Sequence, residues 1–201
     1  IQAAPPIVTP YNEDGTYTQF RNVYGFMESS NPLTFVNEES NTVKTNLTLI
    51  NAALIFNPLD EISIRISGGY ESRDDRSDIY RTRKIPNSDG FASVGTNQYT
   101  SMLNENTINY TNTFNEVHNF SALAGLTYQD FIYTSLAADG TGFLSDAFES
   151  YDLGASTVQG IPSSGYSKSV LLSYLGRINY NFKSKYYVTV SYRADGSSKF
   201  S

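Results

Sequence analysis

The stretch from Ser167 to Ser201 constrains the fold more than any other part of the chain. From Val170 to Arg193 two runs alternate apolar and polar residues, joined by the short link Lys183-Ser184-Lys185. Successive side chains of a strand point to opposite faces, so two such runs with a short polar link predict a β-hairpin. In the first arm Leu172, Tyr174, Gly176, Ile178, Tyr180 and Phe182 share one face. Ser173, Arg177, Asn179 and Asn181 lie opposite, with Leu171 and Leu175 near the start. In the second arm Tyr186, Val188, Val190 and Tyr192 oppose Tyr187, Thr189, Ser191 and Arg193. One face is apolar with aromatics at its ends; the other is polar and includes arginines.

Two settings produce this alternation. A soluble antiparallel sheet hides one face against a core and wets the other. A transmembrane barrel strand turns its apolar face to lipid, flanked by aromatic girdles, and its polar face to the lumen. Tyr174 to Phe182 spans about 27 Å at ~3.4 Å per residue. A tilt of ~40° reduces this to roughly 20 Å, close to the ~25 Å apolar band of an outer-membrane barrel. Periodicity alone leaves both settings open.

Upstream, Glu61 to Tyr70 alternates as cleanly, with Ile62, Ile64 and Ile66 opposing Ser63, Arg65 and Ser67. Strands are also expected over Thr42 to Phe56, Phe91 to Tyr110 and His118 to Tyr133. Asn57-Pro58-Leu59-Asp60 and Thr111 to Val117 read as tight turns. Glu71 to Gly90, with five acids and five bases, reads as a charged strand end and loop. Asp139 to Pro162 reads as a long loop, with a short helix possible over Phe143 to Tyr151. Ile1 to Glu39 is a Pro- and Asn-punctuated loop with a short strand or helix around Tyr17 to Met27. Connections thus alternate short and long, as barrels place turns on one side of the membrane and loops on the other. About six strands result, paired as three hairpins, each longer than the ~10 residues a crossing needs.

Composition narrows the function. The net charge of −6 argues against a nucleic-acid surface. Absence of Cys removes disulfides, thiolate zinc sites and thiol catalysis. Aromatics are 14% of residues, 16 Tyr and 12 Phe without Trp, which suits β-strands with one wet face. No apolar run approaches the ~18 residues of a membrane helix. There is no visible signal peptide. The chain opens on Ile1 and stops at Ser201 in mid-motif, so an internal piece of a longer protein is expected.

No catalytic constellation stands out. His118, the single histidine, reads as a polar turn residue. Asp74-Asp75 are adjacent and point apart. Asp139, Asp146, Glu149 and Asp152 lack calcium-loop spacing, and Asp195-Gly196-Ser197-Ser198 reads as a strand-end turn. The N-x-S/T matches at Asn46, Asn109 and Asn119 are read as chance. Phe91, Tyr99, Phe143 and Tyr151 are aromatic candidates for stacking on sugar rings, against packing among the loops.

Residue identity adds to this. L-L-S-Y-L-G-R-I-N-Y-N-F-K-S-K-Y-Y-V-T-V-S-Y-R-A-D-G-S-S-K-F, above all Arg193 to Phe200, closely resembles a stretch of the SusC/RagA family of TonB-dependent outer-membrane transporters. Ala4 to Tyr17, Asn31-Pro32, Leu103 to Tyr110 and His118 to Gly125 resemble further parts of that family in the same order. The resemblance is weakest over Asp74 to Val94 and Asp139 to Gly165. It implies an all-β, antiparallel up-and-down segment of a barrel of about 22 strands with long extracellular loops. Residues 1–40 would be an extracellular loop region and 41–201 barrel wall, with the plug elsewhere. It implies import of oligosaccharides or peptides with a SusD-like surface lipoprotein and the TonB complex, and no cofactor or covalent chemistry. On this reading Arg65, Arg177 and Arg193 face the lumen. Ile62, Ile64, Ile66, Leu172, Tyr174, Ile178, Val188 and Val190 face lipid, since a mid-depth charge toward lipid costs about 2–4 kcal/mol. A non-transport outer-membrane barrel, such as an adhesin or assembly pore, and a soluble glycan-binding β-protein or hydrolase are the alternatives.

Overall fold

A computed structural model of the chain describes residues 8–19 and 31–199. Most of the element expected around Tyr17 to Met27, and Phe200 of the terminal motif, lie outside them. Helix α1 (Pro32–Glu38) leads directly into β1 (Glu39–Leu59). There follow β2 (Ile62–Arg81), β3 (Phe91–Phe114), β4 (His118–Phe143), β5 (Ser156–Gln159), β6 (Ser163–Phe182) and β7 (Tyr186–Ser197). The strands form one sheet in the order β1-β2-β3-β4-β6-β7, with β5 pairing β4 off this path. Neighbours in sequence are neighbours in space, the up-and-down pattern that hairpin connections produce.

Several strands run further than their composition announces. β2 continues to Arg81 through a charge-rich stretch because the charges find partners. Arg76 Nε and Nη2 donate to Asp78 at 2.9–3.2 Å, Thr45 Oγ1 donates to Asp75, and Arg81 Nε donates to Glu39 at 2.8 Å. β4 continues to Phe143 because β5 supplies a ladder there, Gly140 opposite Gln159 and Phe143 opposite Ser156. β7 carries Asp195 and Gly196 in register with Ser173 and Leu172, so the expected Asp195 turn is strand. Pro58 also lies inside a strand, β1, which is an edge of the sheet order, where a missing donor is tolerated. Where a short helix was expected over Phe143 to Tyr151 the long loop carries only a 3₁₀ turn at Glu149–Tyr151, followed by a second at Leu153–Ala155.

The chain divides into two compact units, and each long strand contributes to one or both. Of the described residues, the first unit comprises 8–19, 31–45, 75–97 and 135–165. It holds α1, the two longer connections and the buried cluster Tyr80, Ala92 and Phe143, with Leu153 packed on it. Asn31 starts α1 by accepting from the Leu33 N–H at 3.1 Å, and Pro32 loses nothing in the first turn, where N–H groups have no helical partner.

Of the described residues, the second unit comprises 46–74, 98–134 and 166–199 and holds the three short turns. In the β3–β4 turn Asn115 and Glu116, and in the β6–β7 turn Lys183 and Ser184, both central residues have positive φ, 47–59°. That sense of twist matches the twist of paired strands, and it is adopted here without the glycine that usually supplies it. The Lys183 N–H donates to the Val117 carbonyl at 2.7 Å and the Thr111 N–H to the Glu61 carbonyl at 2.8 Å, linking each turn to the next.

Candidate functional site

The second unit has two chemically distinct faces, and contacts between strands define them. β6 and β7 pair without a bulge from Leu171↔Ser197 to Phe182↔Tyr186. Opposed residues share a face, so Arg177 (opposite Ser191) and Arg193 (opposite Leu175) lie together. A side chain on Gly125 would meet Leu175 Cβ and Thr107 Cγ2, and one on Gly69 would meet Leu103 Cβ. Alternation then places Arg65, four residues before Gly69, on the same face as Arg177 and Arg193. This face is cross-linked by polar side chains. Arg177 Nε donates to Ser191 Oγ at 3.2 Å, Thr189 Oγ1 to Asn179 Oδ1 at 3.0 Å, and Asn179 Nδ2 to Ser121 Oγ at 3.0 Å. Gln129 Nε2 donates to Ser101 Oγ at 3.2 Å, and Arg193 Nε reaches both Asp195 oxygens at 2.9–3.0 Å.

The other face carries Ile62, Ile64, Ile66, Leu172, Tyr174, Ile178, Val188 and Val190, with Ile178 directly opposite Val190. Much of it is uncovered: Tyr174 is 54% exposed, Val190 61% and Ile66 50%. At its turn end the rings of His118, Phe182 and Tyr186 gather, 4.9 Å between His118 and Phe182 and 6.5 Å between Phe182 and Tyr186. His118 is the first residue of β4 rather than a turn residue, and its Nδ1 lies 2.7 Å from the Tyr180 hydroxyl.

In the first unit two carboxylates brace the loops. Glu38 accepts from Tyr17 Oη at 2.8 Å and Thr82 Oγ1 at 2.6 Å, with Lys84 Nζ 3.8 Å away. The bond to this carboxylate raises the Tyr17 phenol above its ordinary value. Asp146 accepts from Tyr80 Oη at 2.7 Å and from the Arg83 backbone and guanidinium at 3.2 and 3.3 Å. Burial pushes the Asp146 carboxyl up, but these donors outweigh it and hold the group below the usual carboxylate value. Asp14 is lowered by the hydroxyl and N–H of Thr16. Between residues 12–19 and 83–89 lies a polar groove of ≈ 540 Å³, lined by Asn12, Thr16, Tyr17, Lys84 and Ser88 among others.

The aromatic candidates separate by environment. Phe143 is buried against Tyr80, 5.8 Å edge-on, and is core rather than a stacking surface. The Arg81 guanidinium lies over Phe91 at 5.4 Å, and Tyr99 lies 6.3 Å from Phe131. Tyr151 is 72% exposed and open to a ligand. Asp139, Asp146, Glu149 and Asp152 do not assemble; among the described residues no group of three acidic or histidine side chains has metal-binding geometry.

No protein-family model matches the chain. It is 31% identical over 205 residues, 99% of its length, to TonB-dependent receptor P26 of Formosa agariphila. It is 31% identical over 196 residues, 95% of its length, to TonB-dependent receptor P3 of the same organism. The chain belongs to the TonB-dependent receptors. It spans 21% and 19% of the length of these two relatives. This TonB-dependent receptor segment also shares its fold with solved structures. The RagAB peptide transporter superposes with a TM-score of 0.83 at 22% identity, covering 96% of this chain and 22% of that one. The RagAB peptide importer in its 'closed-closed' state gives 0.80 at 22% identity, covering 95% and 22%. The resemblance carried by Arg193 to Phe200 and the motifs before it is borne out as membership of the TonB-dependent receptors, and the antiparallel up-and-down architecture is shared with the RagAB structures.

Asp146, Glu38 and the His118–Tyr180 pair were not singled out as joined sites by sequence reasoning. Asp146 sits 66 residues from Tyr80, and no local signal announces that partnership. The aromatic gathering at the β6–β7 turn was signalled, because Phe182 and Tyr186 flank the Lys-Ser-Lys link.

Proposed function

We propose that this chain is barrel wall with surface loops in an outer-membrane TonB-dependent importer. The transporter takes up oligosaccharides or peptides, works with a SusD-like surface lipoprotein and draws energy through the TonB complex. Residues 1–40 form an extracellular loop region and 41–201 part of a barrel of about 22 strands that encloses a plug. Arg65, Arg177 and Arg193 face the lumen. Ile62, Ile64, Ile66, Leu172, Tyr174, Ile178, Val188 and Val190 face lipid.

The observation that supports this most is the contrast between the faces of the second unit. Polar side chains satisfy one another across one face, as a wet lumen allows, while exposed aliphatic and aromatic groups fill the other. A contiguous apolar face of this kind needs a cover, and hydrocarbon supplies it without further protein. The polar groove between residues 12–19 and 83–89 and the exposed Tyr151 offer hydrogen-bonding and stacking contacts to a sugar or a peptide. The test uses the full-length receptor. Ile64→Arg and Val190→Arg lose most of the protein from the outer-membrane fraction, each costing about 2–4 kcal/mol in lipid, while Thr189→Arg is tolerated. Unchanged outer-membrane recovery of Ile64→Arg and Val190→Arg rejects the assignment.

A further inference from the structure

We propose that the apolar face of the β6–β7 hairpin binds one anionic phospholipid, its phosphate at Lys183 and Lys185 and one acyl chain in a groove beside Gly176. The proposal rests on the lipid-facing assignment of that face.

Three observations on one surface carry it. First, the cations lie back over the aromatic end of the face. Lys183 Nζ is 5.2 Å from the Phe182 ring centre and Lys185 Nζ is 5.7 Å from that of Tyr186. Among the described residues neither ammonium is in an ion pair. Glu116 precedes Val117, whose carbonyl accepts from the Lys183 N–H, and it is exposed and, among the described residues, in no ion pair with either lysine. Both lysines are exposed, so an anionic headgroup can reach them, and aromatic rings at this level mark the boundary between headgroups and hydrocarbon.

Second, an apolar groove of ≈ 440 Å³ opens on the same face between Ala122, Ala124, Gly176, Ile178, Val190 and Tyr192. Its floor is Gly176, where an added Cβ would meet nothing within 4 Å. Third, the spacing fits. Phe182 and Gly176 are six residues apart on one strand, about 20 Å at ~3.4 Å per residue. At a tilt of ~40° that is about 15 Å of depth. Half of the ~25 Å apolar band of an outer-membrane barrel is about 12 Å, so one leaflet ends between Ile178 and Gly176, where the groove lies. A phosphate at the lysines therefore puts its acyl chain alongside Gly176.

The experiment titrates the purified full-length receptor with phosphatidylglycerol or phosphatidylcholine and counts retained lipid by native mass spectrometry. The native protein retains one phosphatidylglycerol in preference to phosphatidylcholine. Each lysine near a charged surface is worth about fivefold, so K183Q/K185Q weakens phosphatidylglycerol about 30-fold and leaves phosphatidylcholine unchanged. K183R/K185R restores the preference, which separates lost charge from a damaged turn. Gly176→Leu fills the groove and lowers retention of both lipids. Equal retention of the two lipids by the native protein, or undiminished phosphatidylglycerol in K183Q/K185Q, overturns the proposal while the membrane assignment stands. A native receptor that retains neither lipid and stays soluble without detergent overturns both.

Discussion

At the scale of single residues, Asp146 decides more than its half-buried place in a loop suggests. Its two oxygens take the Tyr80 hydroxyl and both polar ends of Arg83, tying residues 144–155 to the end of β2. Tyr80→Phe removes the shortest of these bonds and leaves a partly buried carboxylate short of a donor. Loss of a bond to a charged group costs about 1.5–3 kcal/mol, and faster hydrogen exchange in 144–155 of the intact receptor measures it. The carboxyl is held below its ordinary value, so the unfolded loop binds a proton more readily than the braced one. The bracing is complete above the unfolded carboxylate value of ~3.9 and is lost as pH falls through the depressed folded value. Limited proteolysis of the loop is flat from pH 7 to 5 and rises only in strong acid; Asp146→Asn removes that acid limb. Gly142 holds φ +76° in β4, and a side chain there would run into Thr157 Oγ1. Gly142→Ala costs about 1–3 kcal/mol through backbone strain and opens the β4–β5 ladder, read by exchange at Ser156 to Gln159.

At the scale of elements, each end of the strands has its own means of control. α1 is seven residues long and does not stand on propensity; Asn31 both caps it and donates to the Pro10 carbonyl at 2.7 Å. Asn31→Ala costs about 1 kcal/mol and frees the loop at Pro10, seen as increased cleavage within residues 8–19. The β3–β4 turn instead carries strain, since Glu116 sits at φ 59° without being glycine. Glu116→Gly relieves about 1–2 kcal/mol and raises the melting temperature of the detergent-solubilised receptor. Lys183 and Ser184 share that conformation, which holds the link short enough to keep both lysines beside their rings.

At the scale of the whole molecule, the sheet ends on β1, whose residues from Ser40 to Leu59 are all exposed, including Leu47, Ile50, Leu54 and Phe56. An edge this long, apolar and unpaired templates association. The 201-residue chain produced alone sediments as aggregate, and the full-length receptor in detergent does not; analytical centrifugation of both checks this. The two-faced strands, the short-turn positions and the family were legible in the sequence because alternation is local: neighbouring residues alone fix which side chains share a face. The motif around Arg193 to Lys199 added identity to that pattern. Strand ends were less legible. Charged β2 and glycine-bearing β4 continue only because Glu39, Thr45 and Ser156 to Gln159 return to pair with them. The burial of Phe143, the bracing of Asp146 and the His118–Tyr180 bond depend likewise on residues far away in the chain. Such partners are chosen when strands assemble side by side, and composition along one strand carries no record of which neighbour will arrive.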